Sequence, residues 1–166
     1  MRNLFFILFF CYISLQGQNI AYVDSRYILE NIPEFNTAQE ELNNLSLDWQ
    51  EEIDILKEDV EKLYRTYQAE QYLLPENKKK DREEMIILKE KEVKSLTKKR
   101  FGPNGDLYKK QQELIEPIQD LIYGAIKKFA EESKYDIIFD KSSDLIMLFS
   151  DPELDKSQQI LEELGY

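Results

Sequence analysis

From Phe35 to Tyr67 the apolar residues fall at Phe35, Ala38, Leu42, Leu45, Trp49, Ile53, Leu56, Val60, Leu63 and Tyr67, in steps of three and four throughout. Such steps return to one face of a helix with 3.6 residues per turn, so the run is a heptad seam. Glu, Asp, Gln, Asn and Lys dominate the positions between, and no Gly or Pro interrupts before Pro75. At 1.5 Å per residue the helix is about 55 to 60 Å long. That is more than a compact domain of this size can bury, so the sequence predicts a projecting arm.

Gln71-Tyr72-Leu73-Leu74-Pro75-Glu76-Asn77 ends this helix. Pro75 disfavours helical geometry in Leu74 and is itself suited to starting the next helix. A thinner stripe of Met85, Leu88, Val93 and Leu96 then predicts the return arm of an antiparallel hairpin, with its turn near 72–77. Phe101-Gly102-Pro103-Asn104-Gly105 should interrupt that arm, because glycine and proline are poorly tolerated in a helix interior. The period resumes at Leu107, Leu114, Ile118, Leu121, Ala125 and Phe129, with Pro117 as a bend.

The two ends read differently. Ile20-Ala21-Tyr22-Val23 is a short β-type run stopped by Asp24-Ser25, and a brief helix over 26–31 ends before Pro33. Tyr135 to Asp140 and Leu145 to Phe149 are β-type runs separated by Lys141-Ser142-Ser143-Asp144, which predicts a hairpin. Asp155 with Gln158 three residues on predicts a capping pair opening a last helix over 156–164, with Ile160, Leu161 and Leu164 inward. The organisation is therefore α+β and mostly helical, with a body from 18–33 and 114–166 and a helical hairpin arm over 34–113. A core that small is marginal alone, and three short strands leave open edges. Copies are expected to associate through Ile20, Tyr22, Ile137, Phe139, Ile146 and Leu148.

Arg2 followed by an apolar stretch from Leu4 to Leu15 reads as a signal peptide over 1–17, cleaved beside Gly17 and implying export. Cys11 lies within it, after bulky Phe10, which argues against lipidation at that cysteine. Past the leader there is no cysteine and, throughout, no histidine, so disulfides, the commonest metal ligand and the commonest general base are all missing. The net charge of -11 is unevenly spread. Between Asn19 and Val60 eleven acids face Arg26 and Lys57, whereas between Glu61 and Phe101 eight acids face twelve bases. From Gly102 onward fourteen acids face seven bases. The distal arm is basic and both ends are acidic.

In this order the features resemble the Skp/OmpH family of periplasmic chaperones. The residues that carry the likeness are Ile20-Ala21-Tyr22-Val23-Asp24-Ser25, the unbroken heptad arm, and Glu113-Leu114-Ile115-Glu116-Pro117-Ile118 running to Ala125-Ile126-Lys127-Lys128-Phe129-Ala130. Tyr135-Asp136-Ile137-Ile138-Phe139-Asp140, Phe149-Ser150-Asp151-Pro152 and Asp155 before Ile160-Leu161 complete it. The likeness covers the whole chain after the leader. It implies a homotrimer in the periplasm, with a small β-containing trimerisation body and long antiparallel coiled-coil hairpins as prefoldin-like tentacles around a cavity. Unfolded outer-membrane β-barrel proteins would be held there without ATP or any cofactor.

Residues that a two-helix seam does not consume are the candidate client contacts: Tyr64, Tyr67, Tyr72, Leu73 and Leu74 near the turn, with Ile86 and Ile87 on the return arm. Lys78, Lys79, Lys80 and Arg82 form a candidate electrostatic patch that would meet acidic clients or a membrane surface. Nucleic acid is a poor partner for an exported acidic chain. Carboxylate pairs such as Glu40-Glu41 and Glu131-Glu132 sit on long helices and read as surface charge, not catalysis. Asp151-Pro152-Glu153-Leu154-Asp155 lacks the alternating ligands and glycine of a calcium loop and reads as a turn. No metal site or enzymatic activity is expected. The competing reading is a structural coiled-coil adaptor of the envelope that binds one fixed partner.

Overall fold

The computed structural model describes residues 18–143 and 146–166. The expected leader over 1–17, and Asp144 and Leu145 of the expected hairpin, lie outside the described residues. In chain order the elements are β1 (Ile20–Val23), α1 (Ser25–Glu30), α2 (Pro33–Glu70), α3 (Glu76–Phe101), α4 (Asp106–Ser133), β2 (Ile137–Asp140), a 3-10 turn (Pro152–Leu154) and α5 (Ser157–Leu164). They divide into two compact units, Ile32–Asp120 and the described residues up to Asn31 together with those from Leu121 to Tyr166.

In the unit Ile32–Asp120, α2 runs for 38 residues, about 57 Å. Pro33 opens it at a position where a helix needs no N–H donor. All ten heptad positions from Phe35 to Tyr67 are buried or half-buried, with Ala38, Leu42 and Ile53 most enclosed. The helix stops at Glu70, whose carbonyl accepts from the Leu73 N–H at 2.8 Å. The Pro75 carbonyl then accepts from the Lys78 and Lys79 N–H groups and opens α3.

Antiparallel pairing of α2 and α3 is marked by cross-helix contacts of Tyr67 with Glu83, Glu70 with Arg82 and Glu52 with Arg100. The α3 stripe is the expected one only in its second half. Met85 and Leu88 are exposed, whereas Ile86 is buried and Val93 and Leu96 are half-buried. Lys79, Arg82 and Arg100 take further half-buried positions in the same heptad phase. Their methylene stems cover apolar surface, so a stripe sought among apolar letters falls one step off at Met85 and Leu88 and on the seam at Val93 and Leu96.

Between α3 and α4 the interruption is built on close backbone approach. A Cβ at Gly102 would lie 2.3 Å from the Lys98 carbonyl oxygen, and one at Gly105 would lie 2.8 Å from the carbonyl oxygens of Gly102 and Lys99. Facing the break, the Arg100 guanidinium stacks 4.8 Å from the Trp49 ring. It also donates to Glu52 Oε2 at 3.0 Å and to Asp106 Oδ2 at 2.8 Å. Partial burial pulls its pKa down, but these two carboxylates outweigh that and hold it above the ordinary value. One cation thus ties α2, the end of α3 and the start of α4.

In the other unit β1 and β2 pair in parallel, with Ile20 opposite Ile137 and Val23 opposite Asp140. The expected hairpin is absent: described residues 146–150 form no strand. The physical cause lies in the turn after β2. The Asp140 carboxylate accepts from the Ser142 N–H at 3.0 Å and hydroxyl at 2.8 Å, and also from the Ser25 N–H at 3.1 Å and hydroxyl at 2.7 Å. The turn is thereby fastened to the start of α1 and does not fold back along β2. On the far edge of β1, the Tyr22 carbonyl accepts from the Lys156 N–H at 2.9 Å.

The start of α5 also differs from the expected capping pair. Asp155 accepts from the Ser157 N–H and hydroxyl, and Ser157 in turn accepts from the Asp24 N–H at 2.8 Å. Gln158 accepts instead from the Tyr27 hydroxyl. Gly165, at φ 93°, closes the helix in the left-handed conformation that favours glycine. Ala21, Tyr22, Val23, Ile28, Ile122, Ala125, Ile160 and Leu161 are buried here. On α4 the expected stripe of Leu107, Leu114, Ile118, Ala125 and Phe129 is buried or half-buried; Leu121 alone departs from it, exposed beside the buried Ile122.

Candidate functional site

The turn between α2 and α3 holds its apolar side chains in solvent. Tyr72 is 88% exposed and Leu73 86%, while Leu74 is half-buried. The reason is local: α2 has ended, Pro75 has not yet begun α3, and the residues between have no helix alongside to cover them. Down the hairpin, Tyr64 and Ile87 are also exposed. The cross-helix pairs near 67–83 and 70–82 set these two residues at about the same level along the hairpin. Tyr67 is half-buried and donates its hydroxyl to Glu83 across the helices, a bond that pushes the phenol pKa above its usual value.

Ile86 is a correction. At 7% exposure it belongs to the packed seam of the hairpin, so it offers no surface to a partner. Five exposed apolar residues of the arm were missed as contacts: Leu47, Ile55, Met85, Leu88 and Tyr108. Leu47 and Ile55 could have been found, since both lie off the heptad phase of α2. Met85 and Leu88 were assigned to the seam because the lysine and arginine stems that fill it are invisible to an apolar pattern.

The basic patch beyond the turn is largely compensated. Lys78 pairs with Asp81 at 3.2 Å, Lys79 with Glu76 at 2.7 Å, Lys80 with Glu84 at 3.9 Å and Arg82 with Glu70 at 4.0 Å. The Lys78 and Lys80 pairs are exposed and contribute little to stability, and all four cut the local excess of positive charge.

In the unit containing the sheet, Ile20, Ile137 and Phe139 are partly exposed, and Ile146 and Leu148 reach 84% and 94%. Phe149 beside them is equally open. Tyr22 is the second correction: it is buried in this unit's own core and presents no face for association. Among the described residues no cluster of three or more acidic, cysteine or histidine side chains could hold a metal ion, and no helix is long and apolar enough to cross a membrane. Asp151 accepts from the Glu153 N–H at 3.0 Å, which makes 151–155 a capped turn.

Residues 19–164 match the family described as outer membrane protein (OmpH-like). No curated protein matches the sequence. The structure is similar to a crystal structure of an OmpH-like outer membrane chaperone from Caulobacter crescentus CB15, with a TM-score of 0.70 over 91% of this chain and 86% of that one. Sequence identity between the two is 9%, so the likeness is one of fold.

Proposed function

The chain belongs to the OmpH-like outer membrane protein family, and from that premise we propose that it is a periplasmic holdase chaperone, which binds unfolded outer-membrane β-barrel proteins and prevents their aggregation without ATP. The observation that carries this reading is the exposed pair Tyr72 and Leu73 at the end of a long helical hairpin. Apolar side chains held open in solvent at such a turn serve no packing purpose in the hairpin and suit weak contact with an unfolded chain. Many weak contacts from several arms hold a client while leaving it mobile. Repetition comes from a homotrimer joined through the unit that carries the sheet. Its partly exposed Ile137 and Phe139, and the open Ile146, Leu148 and Phe149, are the apolar surface that association would cover.

Suppression of aggregation is the direct test. Several unrelated urea-unfolded β-barrel proteins are diluted into buffer with and without the protein, and light scattering is followed. A holdase suppresses all of them, whereas an envelope adaptor for one partner ignores most. Replacing Tyr72, Leu73 and Leu74 together with Ser should reduce holding appreciably without abolishing it, since each side chain offers about 1 kcal/mol of partial burial. Full holding by this triple variant would place capture elsewhere on the arm, at Tyr64 and Ile87.

A further inference from the structure

We infer that the groove between Lys57 on α2 and residues 93–102 on α3 docks an acidic amphipathic segment of an unfolded polypeptide, in which a large apolar side chain is flanked by carboxylates. The inference rests on the chaperone reading and names the kind of client segment that this part of the arm takes. The groove has a volume of about 490 Å³ and its wall is apolar although three lysines line it. Val93 and Phe101 supply apolar surface, and Thr97 turns its hydroxyl away to the Val93 carbonyl at 2.8 Å. Lys57, Lys94 and Lys98 contribute methylene stems to the wall, which sets their ammonium groups around its mouth.

Charge separates this groove from the rest of the basic arm. The cations at 78–82 each have a carboxylate within 4.0 Å, but Lys94 and Lys98 form no ion pair among the described residues. Lys57 shares Asp54 at 2.8 Å. A lysine in the last turn of α3 complements the helix dipole, which accounts for Lys98. It does not account for Lys94, nearly two turns from the helix end at Phe101. An apolar cleft under unpaired cations is complementary to a side chain between acids. Being concave, it suits a protruding side chain better than the surface of a bilayer.

The test uses the purified protein and three fluorescent peptides: one alternating Glu with Phe and Leu, one with Gln for every Glu, and one with Ala for every Phe and Leu. Fluorescence anisotropy should show binding of the first alone, weakened about tenfold when salt screens the charges. The double variant Lys94→Gln, Lys98→Gln should weaken that binding about tenfold with unchanged circular dichroism, whereas Lys62→Gln, Lys128→Gln, which removes two lysines already paired with carboxylates, should leave it intact. Equal binding of the Gln peptide, or wild-type affinity in the groove variant, overturns the inference. Phosphatidylglycerol vesicles are run alongside, and vesicle binding through Lys94 and Lys98 without peptide binding also overturns it. Aggregation assays on the same samples keep the two readings apart. Peptide binding by a protein that suppresses no aggregation removes the chaperone reading and leaves the groove standing; suppression without peptide binding does the reverse.

Discussion

Asp140 shows how one side chain can decide the path of a chain. Burial raises its pKa, but hydrogen bonds from Ser25 and Ser142 outweigh that and hold the carboxyl below its ordinary value. Because its folded pKa lies below the unfolded one, the contribution to stability is complete above about pH 4 and is lost as pH falls through the folded value. Asp140→Asn should therefore cost about 1 to 2 kcal/mol near neutrality, by loss of charge-assisted bonds, and should flatten the loss of stability at acid pH. Urea unfolding at a series of pH values measures this; an unchanged acid limb would assign the proton linkage to another group. Asp140-Lys141-Ser142-Ser143 reads as a turn, and that signature was legible in the sequence. The partner that fixes the direction of the turn, Ser25, lies 115 residues away in the chain. Nothing local announces such a bond, and so the hairpin was expected where none forms.

Among the elements, α2 was readable to the residue because its seam is made of apolar letters alone. On α3 the same heptad phase is completed by Lys79, Arg82 and Arg100, which hides the seam around Ile86 and leaves only Val93 and Leu96 of the expected stripe in place. The glycines make a sharper test of what holds the hairpin. Gly102→Ala forces a Cβ against the Lys98 carbonyl and should lower stability by more than 1 kcal/mol, because backbone has to move. Gly124 lies in the interior of α4 with nothing within 4 Å of an added Cβ, so Gly124→Ala should instead raise stability by about 1 kcal/mol. Thermal melts of the two variants should shift in opposite directions. Shifts of the same sign would mean that the break is no tighter than it needs to be.

At the scale of the whole molecule, the unit with the sheet has few buried residues and exposes Ile146, Leu148 and Phe149. If association covers them, replacing all three with Ser should convert the proposed trimer to monomer in sedimentation equilibrium while the far-ultraviolet spectrum stays helical. A trimer that survives the change would shift the interface to Ile137 and Phe139. The small core was legible in the sequence, but the place of Tyr22 was not, since it reads as an edge residue and is buried. The parallel pairing of the strands has a further consequence, for the order of events in time. The Asn19 N–H meets the Asp136 carboxylate across 117 positions of chain, so a ribosome must add that whole span before β1 has β2 to pair with. The hairpin, closed by contacts between neighbours in sequence such as Tyr67 and Glu83, can form long before. Once formed, it shortens the loop that the two strands must close. The hairpin is therefore assembled ahead of the sheet, whose second strand is made long after its first.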